Sequence, residues 1–345
     1  LKNLIFLYVP DQNATLLKFL HQDTDALYLR VEDYDALESL QKKAHFTIHN
    51  LGPAPNIQFV TFNQSRALNQ QGRPVVDPLK SKWFQNVNFR QALAYGMNRQ
   101  AMIDYVYKGR AVLQHSHMSQ HSPFYSQEVN TYPYNLEQAK ALLREAGFYQ
   151  DHLGQLHDAE GHLVQFELLT NLENNQREAL CKLLKENWAQ LGIQVKYRAV
   201  PFHQLIHRLH ETLEWESVLM GSMGNPLEPH LGIGRWRLNG RHHYFNMGHT
   251  RYWKGRQGTQ FSSWEKEMAD LYEQAASEFD FVKRKQLYWK AQQLETQYVP
   301  FLYTVTPLSL IAVRNTIGNI KPSIYAGSEL NAIQWNSEYH YIKEP

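Results

Sequence analysis

The stretch 164–220 changes its hydrophobic period in the order of a repeated strand–helix unit. Apolar residues alternate at 164–168, recur every three or four positions at 180–191, and alternate again at 193–199. A second helical pattern then leads to a short apolar run at 217–220. This βαβαβ order predicts a parallel or mixed sheet with helices packed against it.

The remaining pattern predicts further strands and helices on both sides of this unit. Strands are expected at 4–9, 26–31, 57–63 and 301–313. Helices are expected to begin at typical capping residues, which are Asp11, Asp35 (with Glu38), Asn135 (with Gln138), Ser262 (with Glu265) and Asp280. Gly147 is expected to end the helix that starts at Asn135.

Composition narrows the class of function. The chain has 345 residues and a net charge of +2, without the basic stripe that nucleic-acid binding needs, so no nucleic-acid partner is expected. No apolar run reaches the 18 or more residues of a membrane span. The lone Cys181 rules out an internal disulfide and is expected to pack as a small hydrophobic residue.

Histidine is abundant, with 17 residues, and the densest group is His115, His117 and His121. Zinc needs three or four well-oriented ligands, and no glutamate stands where a His-Glu-x-x-His motif would place it. We interpret this group mainly as a solvated loop, with metal binding as a minor alternative. No nucleophile elbow, phosphate-binding loop or dinucleotide fingerprint occurs, so no catalytic residues and no cofactor are predicted.

Four segments occur in a fixed order: 84–99 (FQNVNFRQALAYGMNR), 132–148 (YPYNLEQAKALLREAGF), 188–195 (WAQLGIQV) and 298–303 (YVPFLY). Together they resemble signatures of the bacterial family 5 extracellular solute-binding proteins, over nearly the whole chain. The resemblance implies an α/β, two-lobed periplasmic binding protein-like fold of type II, with mixed sheets flanked by helices. Because family members are longer, the chain is interpreted as a C-terminal fragment whose lobe I is incomplete.

The resemblance also implies domains and partners. Residues 1–78 are expected to form part of lobe I, 79–300 lobe II with the ligand site, and 301–345 the return to lobe I. A monomeric periplasmic or lipid-anchored protein is expected, which captures peptides or similar solutes by hinge closure and delivers them to an ABC permease and its ATPase subunits. A nickel- or zinc-binding receptor, or a metal-dependent hydrolase using the histidines, is the alternative.

Ligand contacts are expected beyond the third strand, because ligands bind at the carboxyl ends of strands in open α/β sheets. The loop 221–230 (GSMGNPLEPH) offers glycines and polar groups there. In peptide-binding relatives an acidic residue that binds the ligand amine occupies the position of Asn225. The full set of predicted ligand-binding residues is Phe202, Arg208, Gly224, Asn225, Glu228, His230, Trp236, Asn239 and Asn246, with Arg235 as a second cation for a ligand carboxylate.

Overall fold

The computed structural model describes residues 1, 3–9, 11–69, 71–222, 224, 227–238, 240–247, 259–326 and 331–343. The helices are α1 (Gln12–Leu20), α2 (Tyr34–Leu40), α3 (Pro78–Gln85), α4 (Val87–Tyr95), α5 (Arg99–Ala101), α6 (Leu136–Glu145), α7 (Asn175–Ala189), α8 (Phe202–His207), α9 (Ser263–Ser277) and α10 (Phe281–Tyr298). The strands are β1 (Ala26–Tyr28), β2 (Phe46–Pro53), β3 (Ile57–Phe62), β4 (Ala111–Leu113), β5 (Tyr149–Gln150), β6 (Leu156–His157), β7 (Gln165–Asn171), β8 (Gln194–Val200), β9 (Ser217–Ser222), β10 (Phe301–Tyr303), β11 (Val305–Arg314), β12 (Ile317–Gly318) and β13 (Tyr341–Ile342).

The larger sheet has five strands in the order β10-β3-β9-β7-β8. Both β8 and β9 run parallel to β7, while β3 and β10 are antiparallel to their neighbours. The predicted βαβαβ unit is therefore confirmed, with α7 connecting β7 to β8 and α8 lying between β8 and β9. The two antiparallel strands make the sheet mixed, as predicted.

A second, antiparallel sheet contains β1, β11 and β2, and β4 pairs with the other end of β11. Thr304 alone separates β10 in the larger sheet from β11 in this one. Thr304 is fully buried, and its N–H donates to the carbonyl oxygen of Gln58 at 3.0 Å. The chain thus passes between the two sheets directly at Thr304, and a second short connection, residues 54–56, leads from β2 to β3.

The sheets divide the chain differently from the three predicted domain ranges. The five-stranded sheet takes β3 from 1–78, β7 to β9 from 79–300, and β10 from 301–345. Strand pairing depends on contacts between residues far apart in sequence, which local patterns do not report. The assignment of these ranges to lobes stays a prediction.

Most predicted helix starts are confirmed. Asn135 Oδ1 accepts from the Gln138 N–H at 3.0 Å, and Ser262 with Glu265 forms the predicted capping box. Gly147 ends its helix with a φ of +87°, a backbone conformation that glycine adopts without a steric penalty.

Two local predictions are wrong. Residues 3–9 lie outside any strand, with their apolar side chains mostly exposed, because they pair with no strand of the described chain. Helix α2 begins at Tyr34, so Asp35 lies within its first turn and the Asp35–Glu38 capping box is not formed. Sequence reasoning also missed β2, the strand at 46–53.

Two buried arginines of segment 84–99 hold it against segment 298–303 through hydrogen bonds to main-chain carbonyl oxygens. Arg90 is 1% exposed and donates to the carbonyl oxygens of Phe84 and Tyr298, each at 2.6 Å. Arg99 donates to the carbonyl oxygen of Tyr303 at 2.8 Å. Burial lowers the pKa of both guanidinium groups to about 10, so both remain charged at neutral pH. These arginines therefore tie α4 and α5 to the end of α10 and to β10.

Two large hydrophobic clusters lie against the five-stranded sheet. One contains Phe62, Phe166 and Trp188, with the rings of Phe62 and Phe166 5.5 Å apart and edge to face. Cys181 is fully buried in the same cluster, as predicted, and burial raises the pKa of its thiol. Within the described ranges, no helix combines the length and apolar character needed to cross a membrane.

Candidate functional site

A cleft of about 490 Å³ lies where the two sheets face each other. Its volume falls in the range of small-molecule sites, about 300–1,000 Å³. The lining comes from α1, β1 and the turn after it, the start of β3, the first turn of α7, the end of β9 and part of β11. The lining residues are Thr15, Leu16, Leu27, Tyr28, Leu29, Arg30, Val31, Glu32, Asp33, Asn56, Ile57, Gln58, Asn174, Asn175, Gln176, Arg177, Gly221, Ser222, Pro307 and Leu308.

The cleft lies at the carboxyl end of β9, where open α/β sheets bind ligands. Gly221 and Ser222, the last residues of β9, line it directly. Asn174 caps α7 by accepting from the Arg177 N–H at 2.9 Å, so the first turn of α7 is held at the same end of the sheet. The last residues of β9, just beyond Met220, therefore face a gap between the sheets, and ligand binding by the loop 221–230 stays a prediction.

Arg177 is the most distinctive charged group in the cleft. Its Nη1 donates to Asn171 Oδ1 at 2.9 Å, while its buried Nε has no hydrogen-bond partner among the described residues. No carboxylate of the described ranges lies within 4.0 Å of this guanidinium. Burial lowers the pKa of Arg177, and nearby Tyr107 opposes that effect. The cleft thus holds a cation whose charge is not neutralised locally.

The acidic groups on the opposite wall are already engaged. Arg30 Nε lies 2.6 Å from Asp33 Oδ2 and 3.9 Å from Glu32 Oε1. Glu32 Oε2 also accepts a hydrogen bond from Gln176 Nε2 at 2.8 Å. This last bond spans the cleft from the turn after β1 to α7.

The predicted ligand residues that the structure describes do not line this cleft. Glu228 accepts from the His230 N–H at 2.9 Å and pairs with Arg284 at 2.7 Å. His230 is half-buried, and its buried Nδ1 has no partner among the described residues. Gly224 lies so close to the Pro55 backbone that a Cβ added to it would be 2.0 Å from the Pro55 carbonyl oxygen.

Phe202 and Arg208 lie at α8 and just after it. Phe202 is 48% exposed at the start of the helix, and its N–H donates to Glu173 Oε1 at 2.9 Å. Arg208 Nη1 lies 3.5 Å from Glu167 Oε2. Both side chains are therefore at the surface near β7 and β8, away from the lining of the cleft.

Two other predicted residues are in the interior. Trp236 is fully buried, with its ring 5.2 Å from that of His117. The Asn246 amide donates to Glu265 Oε1 at 2.8 Å and to the Gln260 carbonyl oxygen at 2.9 Å. In this conformation neither side chain faces a groove. Asn225 and Asn239 lie outside the described residues.

Arg235, the second predicted cation, is 6% exposed and reaches the cleft only through another residue. Its Nη2 donates to Ser222 Oγ at 2.6 Å, and its guanidinium carbon is 5.6 Å from the centre of the Phe301 ring. Arg235 therefore orients the last residue of β9 from beneath the cleft.

The prediction of a solvated histidine loop is wrong. Ser116, His117 and Met118 are all buried, since the loop packs against α9 and α10. His117 Nδ1 lies 2.6 Å from Glu295 Oε2, and its Nε2 is hydrogen-bonded to the Tyr272 hydroxyl. In the described part of the chain, no three His, Cys, Asp or Glu side chains are grouped so that they could hold a metal ion.

Sequence comparison gives the class of protein to which this fold and cleft belong. The sequence model described as "Bacterial extracellular solute-binding proteins, family 5 Middle" matches residues 1–243. The chain therefore belongs to the family 5 extracellular solute-binding proteins, as predicted.

Two curated relatives match at low identity. A probable ABC transporter-binding protein of Deinococcus radiodurans is 25% identical over 319 residues, which are 85% of this chain and 49% of the relative. The dipeptide-binding protein of Escherichia coli K12 is 27% identical over 258 residues, 72% of this chain and 44% of the relative. The chain thus spans about half the length of these relatives.

Solved structures support the fold. The periplasmic binding protein MelB of Agrobacterium fabrum, in complex with stachyose, superimposes with a TM-score of 0.79 at 20% identity, covering 95% of this chain and 50% of MelB. At this identity the likeness concerns the fold alone. The predicted α/β fold of the periplasmic binding proteins, with mixed sheets flanked by helices, is confirmed.

Proposed function

We propose that this chain belongs to the substrate-binding component of an ABC importer and captures a peptide or similar solute in the cleft between its two sheets. The single observation that carries the proposal is that a member of a solute-binding family has a cleft of about 490 Å³ at the carboxyl end of β9. The function is binding and delivery rather than catalysis, in the periplasm or outside the cell, with an ABC permease and its ATPase subunits as partners.

The cleft has the character of a site for a small, polar solute. Main-chain groups at the end of β9 lie close to the lining side chains, and the Arg177 guanidinium packs against Gly221. The half-buried Leu16, Pro307 and Leu308 add apolar surface beside the charged groups. This combination suits a ligand with charged ends and an uncharged middle, as a short peptide has.

Capture works by closure of the two walls on the ligand. The walls belong to different sheets, which the chain connects at Thr304 and at residues 54–56, so a small rotation about these two crossings changes the width of the cleft. A ligand shifts the balance between open and closed forms only by its differential affinity for them. Contacts to both walls at once, which only the closed form provides, supply that difference.

A panel of solutes tests the proposal by thermal shift and titration calorimetry. The panel contains di- and tripeptides, a galactose-containing oligosaccharide, and nickel with free histidine. We expect at least one short peptide to raise the melting temperature in a concentration-dependent way. If no peptide, sugar or metal complex stabilises the protein, the proposed binding function is wrong.

A further inference from the structure

The guanidinium of Arg177 is placed in the cleft with most of its hydrogen-bonding capacity unused. Among the described residues only Asn171 accepts from it, and the buried Nε has no partner. Leaving a buried donor unpaired is costly, and the cost is greater for a charged group. An incoming anion that contacts the part of the guanidinium lining the cleft would neutralise this charge, whereas the buried Nε is closed to solvent.

Because Gly221, near the end of β9, has no side chain, the Arg177 guanidinium can pack against its backbone. A Cβ added at Gly221 would lie 2.6 Å from Arg177 Nη2 and 2.9 Å from the Ile57 carbonyl oxygen. The guanidinium therefore rests directly against the Gly221 backbone, at a position that any other residue would disturb. This contact fixes the charge at the edge of the sheet, where the cleft is lined.

Charge pairing on the other wall directs an anion to Arg177. Arg30 is engaged by Asp33 at 2.6 Å, and Glu32 is held by Gln176 at 2.8 Å. Arg177 is thus the lining cation that the described carboxylates leave without an ion pair. Planar guanidinium groups bind carboxylate and phosphate oxygens through paired hydrogen bonds.

We infer that Arg177 is the residue that selects solutes bearing an oxyanion, a carboxylate or a phosphate, and binds that group beside Gly221. The inference rests on the proposed solute-binding function of the cleft and adds the chemical class of its ligand. The predicted cations Arg208 and Arg235 do not serve here, because Arg208 is paired with Glu167 and Arg235 is buried beneath Ser222.

Thermal shift with simple anions tests this inference without a known solute. Sodium acetate and inorganic phosphate are compared with sodium chloride at matched ionic strength, on the wild-type chain and on Arg177→Gln. We expect acetate, phosphate or both to raise the wild-type melting temperature, with an apparent affinity at least about tenfold weaker in Arg177→Gln. The anion that raises the melting temperature more shows whether Arg177 prefers a carboxylate or a phosphate group on the solute.

Two further variants separate anion binding from general effects on folding. Arg177→Lys keeps the charge without the planar fork, so it is expected to retain a weakened response. Arg198→Gln removes an exposed arginine of β8 and is expected to respond like wild type. If neither anion stabilises wild type more than chloride does, or if Arg177→Gln responds equally, the inference is wrong. A protein that responds to acetate through Arg177 but binds no peptide keeps this site and loses the proposed peptide function.

Discussion

Gln176 Nε2 donates a hydrogen bond to Glu32 Oε2 at 2.8 Å across the cleft. The two residues are 144 positions apart, and they belong to α7 and to the turn after β1. A bond between opposite walls stabilises the narrower form of the cleft over any wider one. The affinity for a ligand therefore depends on this hydrogen bond even if the ligand contacts neither Gln176 nor Glu32.

Gln176→Ala is expected to weaken about three- to tenfold the binding of the short peptide that most stabilises wild type in the thermal-shift panel. A hydrogen bond to a charged group contributes about 1.5–3 kcal/mol, of which only the difference between open and closed forms affects binding. Titration calorimetry measures the change, and Lys185→Ala, an exposed change on the same helix, serves as the control. Equal affinity in Gln176→Ala and wild type would show that the bond has no part in closure.

Gly224→Ala is expected to reduce the free energy of unfolding by about 1–3 kcal/mol, as overpacking does. The new Cβ would lie 2.0 Å from the Pro55 carbonyl oxygen, a backbone atom that cannot rotate away. Gly232→Ala is the matched control, since nothing lies within 4 Å of a Cβ there. Urea denaturation of both variants checks the difference, and similar values for the two would contradict it.

His117→Ala is expected to cost about 3–5 kcal/mol of unfolding free energy, because it leaves the Glu295 carboxylate buried and short of a partner. Glu295 is 1% exposed and would keep the hydroxyl of Tyr303, which donates at 2.5 Å. Urea denaturation gives the value. His152→Ala, at an exposed position, should change stability by less than about 0.5 kcal/mol. A loss of the same small size for His117→Ala would mean that the loop is not anchored by this pair.

Glu265 should make stability depend on acid pH. Burial alone would raise its pKa, but hydrogen bonds from His243 and Ser262 outweigh burial and hold the pKa below its ordinary 4.5. A lowered folded pKa gives stability that is complete above about 4.5 and is lost as the pH falls through the folded value.

Unfolding free energies between pH 6 and pH 3 measure this dependence. Glu265→Gln is expected to show a shallower fall than wild type over that range. Glu186→Gln, which changes an exposed carboxylate, is expected to follow the wild-type curve. A parallel fall in wild type and Glu265→Gln would assign the acid sensitivity to other groups.

Sequence reasoning identified the features that depend on neighbouring residues. The βαβαβ unit and the caps at Asn135, Ser262 and Asp280 follow from local periodicity and local hydrogen bonds. Sheet membership was predicted less well, because pairing of β3 with β9 joins residues more than 150 positions apart.

The site shows the same limit. The order of the strands points to the carboxyl end of β9 as the side where a ligand binds, and the last two residues of β9 line the cleft. Ligand binding there stays a prediction. Arg177 and Glu32 were missed because nothing in their local sequence separates them from surface charges. The Asn174 cap was the available signal, as it places the first turn of α7 at the ligand-binding end of the sheet.

Blocking the cleft tests the central claim most directly. Asn175 lines the cleft from an exposed position on α7, so Asn175→Trp should fill part of the space without disturbing the core. Titration calorimetry with the short peptide that most stabilises wild type in the thermal-shift panel is expected to show binding to wild type and to Lys185→Trp, and at least about tenfold weaker binding to Asn175→Trp. Equal affinity in Asn175→Trp and wild type, or no binding by wild type, would contradict capture of the solute between the two sheets.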